Sequence, residues 1–450
     1  MSISIKRIAA GLLASTVVLG AAVVGANPAD ALNPVTDTRF AGANRYDTAR
    51  QTALAAYPLG ANNVVLARGD LFPDALAGSY LAGSLNAPVL LTESGSLHPE
   101  ALAGLVALGA NTVHLLGSEA ALSANVRNQV TAAGFATTRI GGDNRYDTAA
   151  KVATTPGAAV VGVLGGFGRT AIVASGENFP DALAAGPIAH RADFPLLLTR
   201  PDSLPTETAG ALSTLGIQHV LMIGGTTAVN DSVKTAIEAT GVSVDRRFGP
   251  DRFATAANLA GFARTTLGWT VDELILATGF GFADAVSAGA LGGVRSAPIV
   301  LTDDVLPAPS VQVCTDNQPT LTKLFVEGGP TVVTPGAVNA CRIAGQGPVI
   351  VLPEPTLAGY VWANQAASPA YTPSTAYQYN STGGTNTVVR NAAGDYTVRF
   401  PGLGVAAGTV SVTSYATADR CKVEGWDPAA GGALDVDVRC FTPAGVADDA

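Results

Sequence analysis

The sequence predicts three tandem α/β domains followed by a small antiparallel β-domain. Three observations carry that prediction. An Arg-containing phrase recurs as RFAGANRYDTA (39–49), RIGGDNRYDTA (139–149) and, one residue shorter, RFGPDRFATA (247–256). A second phrase follows each time: FPDALAGSYLAG (72–83), FPDALAAGPIAH (179–190) and FADAVSAGALGG (282–293). Beyond residue 347 the texture changes to period-two alternation, as in DYTVRF and LDVDVRCF, the pattern of half-buried strands.

The elements follow in order. Lys6 and Arg7 precede an apolar run from Ile8 to Val24, and Ala29-Asp30-Ala31 offers a small-residue cleavage site. Residues 1–31 therefore read as a secretory signal peptide. The copies then occupy 36–138, 139–245 and 246–346. In each, the Arg phrase opens a helix, and a β-like run follows: NNVVLARGD (62–70), TAIVASGEN (170–178), DELILATGFG (272–281). The second phrase opens an Ala/Leu-rich helix. Two more apolar runs complete the copy: APVLLT, FPLLLT or APIVLT, then VHLLGS, VLMIGG or LFVEGG, each of the latter closing with glycine or just beyond it. Continuous apolar strands alternating with helices imply a parallel sheet covered on both faces. Residues 347–356 read as the start of a Pro-rich linker, and 357–450 as the antiparallel β-domain. GVADDA follows its last strand and turn directly, so this domain reads as cut short of a closing strand.

Composition excludes several classes. A net charge of −9 argues against a general nucleic-acid binder. The basic residues are nonetheless 21 Arg against 5 Lys, and the Arg fork suits carboxylate and phosphate, so local anion sites remain open. After the leader no segment approaches ~20 uninterrupted apolar residues, so no membrane association is expected once it is cleaved. None of the four cysteines stands in a C-x-x-C spacing. They are expected as local structural disulfides, Cys314–Cys341 and Cys421–Cys440, each contributing about 3 kcal/mol. The four histidines, at 98, 114, 190 and 219, occupy no repeated slot. No zinc-protease or nucleophile-elbow motif is present, and GFGFAD (279–284) lacks the third glycine of a nucleotide turn. No catalytic residue, metal or cofactor is expected.

Two repeated residue sets remain as binding candidates. Asp74, Asp181 and Asp284 stand in the loop after a strand, where open α/β sheets bind ligands. Pro73 suits a first helical turn, and Asp74 faces the positive end of that helix, which predicts that it caps the helix and orients an Arg. Arg45, Arg145 and Arg252 stand at helix starts, where the dipole disfavours a cation by about 0.3–1 kcal/mol. They call for a partner: an Asp of the second phrase, an anionic ligand shared with helix N–H groups, or both. Arg39, Arg139 and Arg247 form a second set with the same alternatives.

At these phrases the chain resembles the cell wall binding repeat 2 family of bacterial surface proteins, over about residues 36–345. The resemblance implies three Rossmann-like or toprim-like α/β domains in a pseudo-threefold triangle. It implies non-catalytic modules that hold an exported protein on a Gram-positive wall by binding an anionic cell-wall glycopolymer. The six Arg and three Asp above match the family's repeated positions. The third copy departs from the pattern, with Phe253, Ala254 and Ala283 replacing Tyr, Asp and Pro, so its site is expected to be weaker or structural. The tail resembles a β-module of secreted actinobacterial proteins, and its partner is unknown. A wall hydrolase that uses the repeats for targeting, and a surface adhesin acting through the β-domain, are the alternatives.

Overall fold

The computed structural model describes residues 2–6, 35–346 and, with omissions at 362, 364, 366, 376–377, 405–408 and 414–419, residues 359–447. The apolar run and cleavage site of the leader, and the linker at 347–356, lie outside the described residues. The chain divides into two compact units. One holds Leu32–Val349, and the other holds Met1–Ala31 with Ile350–Ala450.

In the first unit each copy opens with a lead strand: Thr36–Phe40, Ala136–Ile140 and Ser243–Arg247. An Arg helix follows: Arg45–Ala56, Arg145–Thr154 and Arg252–Thr265. Its start is set by side-chain capping. Asn44 accepts from the N–H groups of Tyr46 and Asp47, Asn144 from those of Tyr146 and Asp147, and Asp251 from that of Ala254. The Asp47 and Asp147 carboxylates reach back to the N–H groups of Ala43 and Asp143, a reciprocal arrangement that Ala254 cannot make.

A sheet strand buried along most of its length then leads into the axial helix that the second phrase predicts. It runs Pro73–Leu85 in copy 1 and Ala283–Arg295 in copy 3. In copy 2 it is broken into Pro180–Leu183 and Gly186–Arg191. Pro187 explains the break, because it has no N–H to donate to the preceding turn.

The sheets are parallel, as predicted, except that in copy 2 the short strand Val163–Leu164 pairs antiparallel with Gly168–Ser175, and they are not confined to their copies. In copy 1 the order is Val89–Thr92, Asn63–Arg68, Thr112–Leu116 and then the lead strand of copy 2. Copy 2 likewise takes the lead strand of copy 3, with Met222 opposite Arg246 and Ile223 opposite Arg247. Copy 3 takes Thr36–Phe40, from the beginning of copy 1, with Val326 opposite Arg39 and Glu327 opposite Phe40. Each copy thus lends its first strand to the preceding one, and the last loan closes a ring. The sheets straddle the repeat boundaries at 138/139 and 245/246.

The axial helices meet in the centre of the ring in layers. Phe72, Phe179 and Phe282 touch at ring separations of 5.5, 6.1 and 6.0 Å. Seven residues along, Ser79 meets Gly186 and Gly289, and a Cβ on Gly289 would stand 2.6 Å from the Ser79 Oγ. Four further along, His190 fills the layer that Gly83 and Gly293 leave open. A Cβ on Gly293 would fall 2.3 Å from its Nδ1. Gly293 therefore makes room for the imidazole and Gly83 for the His190 backbone, and burial pushes that imidazole's pKa down to about 4, with the nearby Arg191 charge adding to the effect.

The disulfide Cys314–Cys341 joins helices Ala308–Asp316 and Pro335–Gln346 in copy 3. The other unit contains a five-stranded antiparallel sheet in the order Ala370–Tyr371, Thr387–Ala392, Asp395–Phe400, Ala433–Phe441, Arg420–Ala429. Cys421 and Cys440 are directly opposed across its last two strands and disulfide-bonded. Val388, Val398, Phe400, Val436 and Val438 form the core on one face, as the period-two pattern requires. In the same unit Ser2–Lys6 pairs in parallel with Thr409–Thr413.

Candidate functional site

The axial phenylalanines follow the carboxyl ends of the sheet strands and are half-buried. The Arg helices start beside them. Arg45 donates through Nη1 to the carbonyl of Gly69 at 2.6 Å, Arg145 does the same to Gly176, and Arg252 to Gly279 at 2.5 Å. These glycines end the sheet strand of each copy. A Cβ at Gly69 would stand 2.6 Å from the Tyr46 ring, and one at Gly279 would stand 2.9 Å from the Phe253 ring, so only glycine allows the helix so close.

The same guanidinium groups reach toward the neighbouring copy. Arg45 lies 5.9 Å from the Phe282 ring and Arg145 6.0 Å from the Phe72 ring. Arg252 instead covers Phe280 of its own copy at 5.0 Å. Each helix-start arginine thus gives one N–H to a backbone carbonyl, and Arg45 and Arg145 also lie against rings of the axial phenylalanines. Among the described residues neither Arg45 nor Arg252 forms an ion pair, whereas Arg145 stands 3.5 Å from Glu177.

The repeated aspartates do not cap their own helices. Phe72, Phe179 and Phe282 stand at the N-cap position without a side-chain bond, and each Asp points across to the next copy. Burial raises the Asp74 carboxyl above its ordinary value, against the Thr148 hydroxyl and the charges of Arg68 and Arg145. Burial likewise raises Asp181, opposed by Thr255 and Arg252, and Asp284, opposed by Arg45. Asp74 lies so close to Gly117 that a Cβ there would meet its Oδ2 at 2.5 Å, and Gly117 has φ +89°. The glycine that closes each third strand thus serves both the turn and the carboxylate.

The upstream arginines clasp copies together. Arg39 donates to the Gly328 carbonyl at 2.7 Å, and Arg139 to those of Gly117 and Ser118 at 2.8 and 3.1 Å. In the third copy this post belongs to Arg246, which donates to the carbonyls of Gly224 and Val229 at 2.8 Å each. Arg247 pairs with Asp245 beside it and lies 4.7 Å over the Phe262 ring. The correct third phrase is RRFGPDRFATA (246–256), of the same length as the others. The doubled arginine allows two alignments, and only the strand register chooses between them. Sequence reasoning also passed over the phenylalanines of the second phrase, although they are as regular as its aspartates.

Among the described residues no cluster of His, Cys, Asp or Glu could hold a metal ion, and no helix is long and apolar enough to cross a membrane.

Known proteins match this arrangement. The profile of cell wall binding domain 2 (CWB2) matches residues 39–127, 139–234 and 246–339. The chain belongs to this family. N-acetylmuramoyl-L-alanine amidase LytC of Bacillus subtilis (strain 168) is 30% identical over 265 residues, 59% of this chain and 50% of that protein. The amidase enhancer of the same organism is 31% identical over 283 residues, 63% of this chain and 37% of that protein. The chain thus spans half or less of the length of these relatives. Among solved structures, Cwp6 from Clostridium difficile superposes with a TM-score of 0.60 at 24% identity, over 68% of this chain and 48% of that one. Cwp8 from the same organism gives 0.60 at 22%, over 68% and 51%. These two establish likeness of fold. The CWB2 chain carries wall-binding domains and is placed by them at the cell wall or surface.

Proposed function

We propose that this CWB2 chain is exported by its leader and held non-covalently on a Gram-positive wall by an anionic glycopolymer. The polymer would bind where the three copies converge, on the floor of Phe72, Phe179 and Phe282. Sugar faces stack on the rings, while Arg45, Arg145 and Arg252 meet the acidic groups through their remaining N–H donors. The single observation that carries this reading is the mutual contact of the three phenylalanines with arginines beside them. It replaces three independent weak sites with one composite site. Arg39, Arg139 and Arg246 hold the ring together, and Asp74, Asp181 and Asp284 shape the joints beneath the floor. Arg247 takes no part in binding. The repeats are non-catalytic on this reading.

The test uses the mature chain on isolated walls, before and after acid extraction of the anionic polymers. Binding is expected to fall with extraction and with salt. Removing Arg45 or Arg252 should weaken retention by about tenfold, at the strength of one charge-assisted bond. Equal binding to stripped walls would sink the anionic-polymer reading. A second reading, a part in wall hydrolysis, is favoured by the similarity to LytC and the amidase enhancer. A cleared band in a wall zymogram would establish it.

A further inference from the structure

At the carboxyl ends of the copy 3 strands a cleft of about 350 Å³ opens between three loops. Phe280 stands after the strand Glu273–Thr278, Asp303 and Asp304 after Ile299–Thr302, and Thr331 and Val332 after Lys323–Glu327. This is the end at which open α/β sheets take ligands.

The repeat supplies an internal control. Two residues before the axial phenylalanine, copies 1 and 2 carry Asp70 and Glu177, where copy 3 carries Phe280. Asp70 pairs with Arg68 at 2.7 Å, and Glu177 accepts from the Tyr146 hydroxyl. Phe280 is 59% exposed, and yet it is fixed. Its N–H donates to the Thr278 hydroxyl at 3.2 Å, Arg252 lies 5.0 Å from the centre of its ring, and the Phe253 ring meets it edge-on at 6.1 Å. Four residues after the glycine that closes the third strand, copies 1 and 2 carry Ala121 and Ala228, where copy 3 carries the exposed Val332. The same fold position has thus exchanged an acid and a methyl group for an aromatic platform and a second apolar contact.

The polar wall differs too. In copies 1 and 2 the last threonine of the second apolar run, Thr92 or Thr199, donates to the carbonyl of Ser96 or Ser203 in the following loop, at 3.1 and 3.2 Å. The helix N-cap comes six positions after it, at His98 and Pro205. In copy 3 it comes after five, at Pro307, and the Thr302 hydroxyl is completely buried without a partner. Thr302 stands opposite Thr278 in the sheet and next to Asp303, both of which line the cleft. Asp303 is half-buried, and one of its carboxylate oxygens accepts the Asp304 N–H at 2.7 Å, which orients the other for a second donor. Two carboxylates disfavour an anion here. They suit hydroxyl donors, while the negative face of the Phe280 ring suits the C–H face of a pyranose. A neutral sugar offers both at once.

We infer that the copy 3 cleft is a stacking subsite for a neutral, hydroxyl-rich sugar unit, with Phe280 as its platform. The inference rests on the reading that this end of the ring meets wall polysaccharide, and it adds the polymer's neutral units to what is recognised. It also gives the third copy a task of its own, in place of a weakened version of the other two.

The experiment titrates the mature chain with two neutral disaccharides, diacetylchitobiose and maltose, and with glycerol 1-phosphate as the anionic probe. It is read by calorimetry and by saturation-transfer NMR. A neutral disaccharide should bind at millimolar concentration, and Phe280→Ala should weaken it about tenfold. Phe280→Leu keeps the apolar bulk without the π face and should weaken it as well, which guards against a folding defect in the smaller variant. Neither change should alter the affinity for glycerol 1-phosphate. Binding of one disaccharide and not the other would identify the sugar and support the subsite. No binding of either, an unchanged affinity in both Phe280 variants, or an equal loss of the anionic probe (the mark of a ring that only props Arg252) would each overturn it. The two readings fail separately. Phe280-dependent binding of a disaccharide without any binding of glycerol 1-phosphate would count against the anionic polymer and support the subsite. Binding of glycerol 1-phosphate alone would leave the polymer reading standing and overturn the subsite.

Discussion

The three joints of the ring are built on one plan, yet the joint that closes it differs from the two between sequential neighbours. Where copy 1 meets copy 2, the last residue of the third strand is Leu116 and the facing position on the Arg helix is Val152. Where copy 2 meets copy 3, the pair is Ile223 and Leu259. All four are buried and apolar. Where copy 3 meets copy 1, the same posts hold Glu327 and Thr52, and the Thr52 hydroxyl donates to Oε2 at 2.8 Å. Glu327 is completely buried, and burial raises its pKa well above that of an ordinary carboxyl, with the Asp284 charge adding to the effect and Thr52 opposing it.

Covalent continuity brings copies 1 and 2, or 2 and 3, together at high local concentration. The closing joint brings together segments 275 residues apart. A matched polar pair there favours the correct partner. Glu327 against Val152 or Leu259 would be a buried carboxyl without a donor, whereas Thr52 against Leu116 would still donate to the Thr48 carbonyl of its own helix at 3.0 Å. Polar pairs that select a partner at some cost in stability have precedent in helical packing.

The comparison can be broken directly. Leu116→Glu should place a carboxyl in a joint without a donor and cost about 3–5 kcal/mol, the scale of an uncompensated buried charge. Adding Val152→Thr should recover a large part of it. Urea unfolding of both variants measures the difference, and an equal loss in both would sink the pairing argument.

His190 comes next in size. It ties copy 2 to copy 1, since its Nε2 lies 3.2 Å from the Tyr57 hydroxyl at the end of the first Arg helix. His190→Ala should cost about 2–4 kcal/mol, as large-to-small core changes do. It should also flatten the acid side of the pH profile. The folded pKa of His190 is about 4 against an ordinary 6.5, so above pH 6.5 both states are neutral and stability is unaffected. As pH falls from 6.5 toward 4 the unfolded chain takes up the proton first, and stability drops by up to about 3 kcal/mol. A wild-type unfolding midpoint that is level across that window would contradict this.

The smaller test returns to the closing joint. Thr52→Val should leave Glu327 without its donor and cost about 1–3 kcal/mol. Thr52→Val with Glu327→Leu should restore wild-type stability or exceed it, because well-packed apolar residues often match a buried polar pair. The double variant is then expected to form more mispaired dimers on refolding at high concentration, measured by size exclusion. Unchanged monomer yield would show that the pair does not select the partner.

Much of this was legible in the residues themselves. The phrases gave three copies, their parallel strands and their helix starts, because capping and apolar patterning act within a few residues. The two disulfides were legible from short loop spacing. Asp74 was misjudged for the opposite reason: a carboxylate at a helix start looks like a cap, and nothing local shows that the next copy stands in front of it. Arg246 and Arg247 were indistinguishable until a strand register assigned them.

The sequence by itself determined what each copy is. Only the tertiary structure decided what the copies make together: that each lends its first strand backwards, that three phenylalanines form one floor, and that one glycine admits the ring of a histidine from another copy while a second admits its backbone. Such outcomes depend on surfaces brought together across hundreds of residues, and no short-range preference of the chain encodes which distant neighbour will arrive.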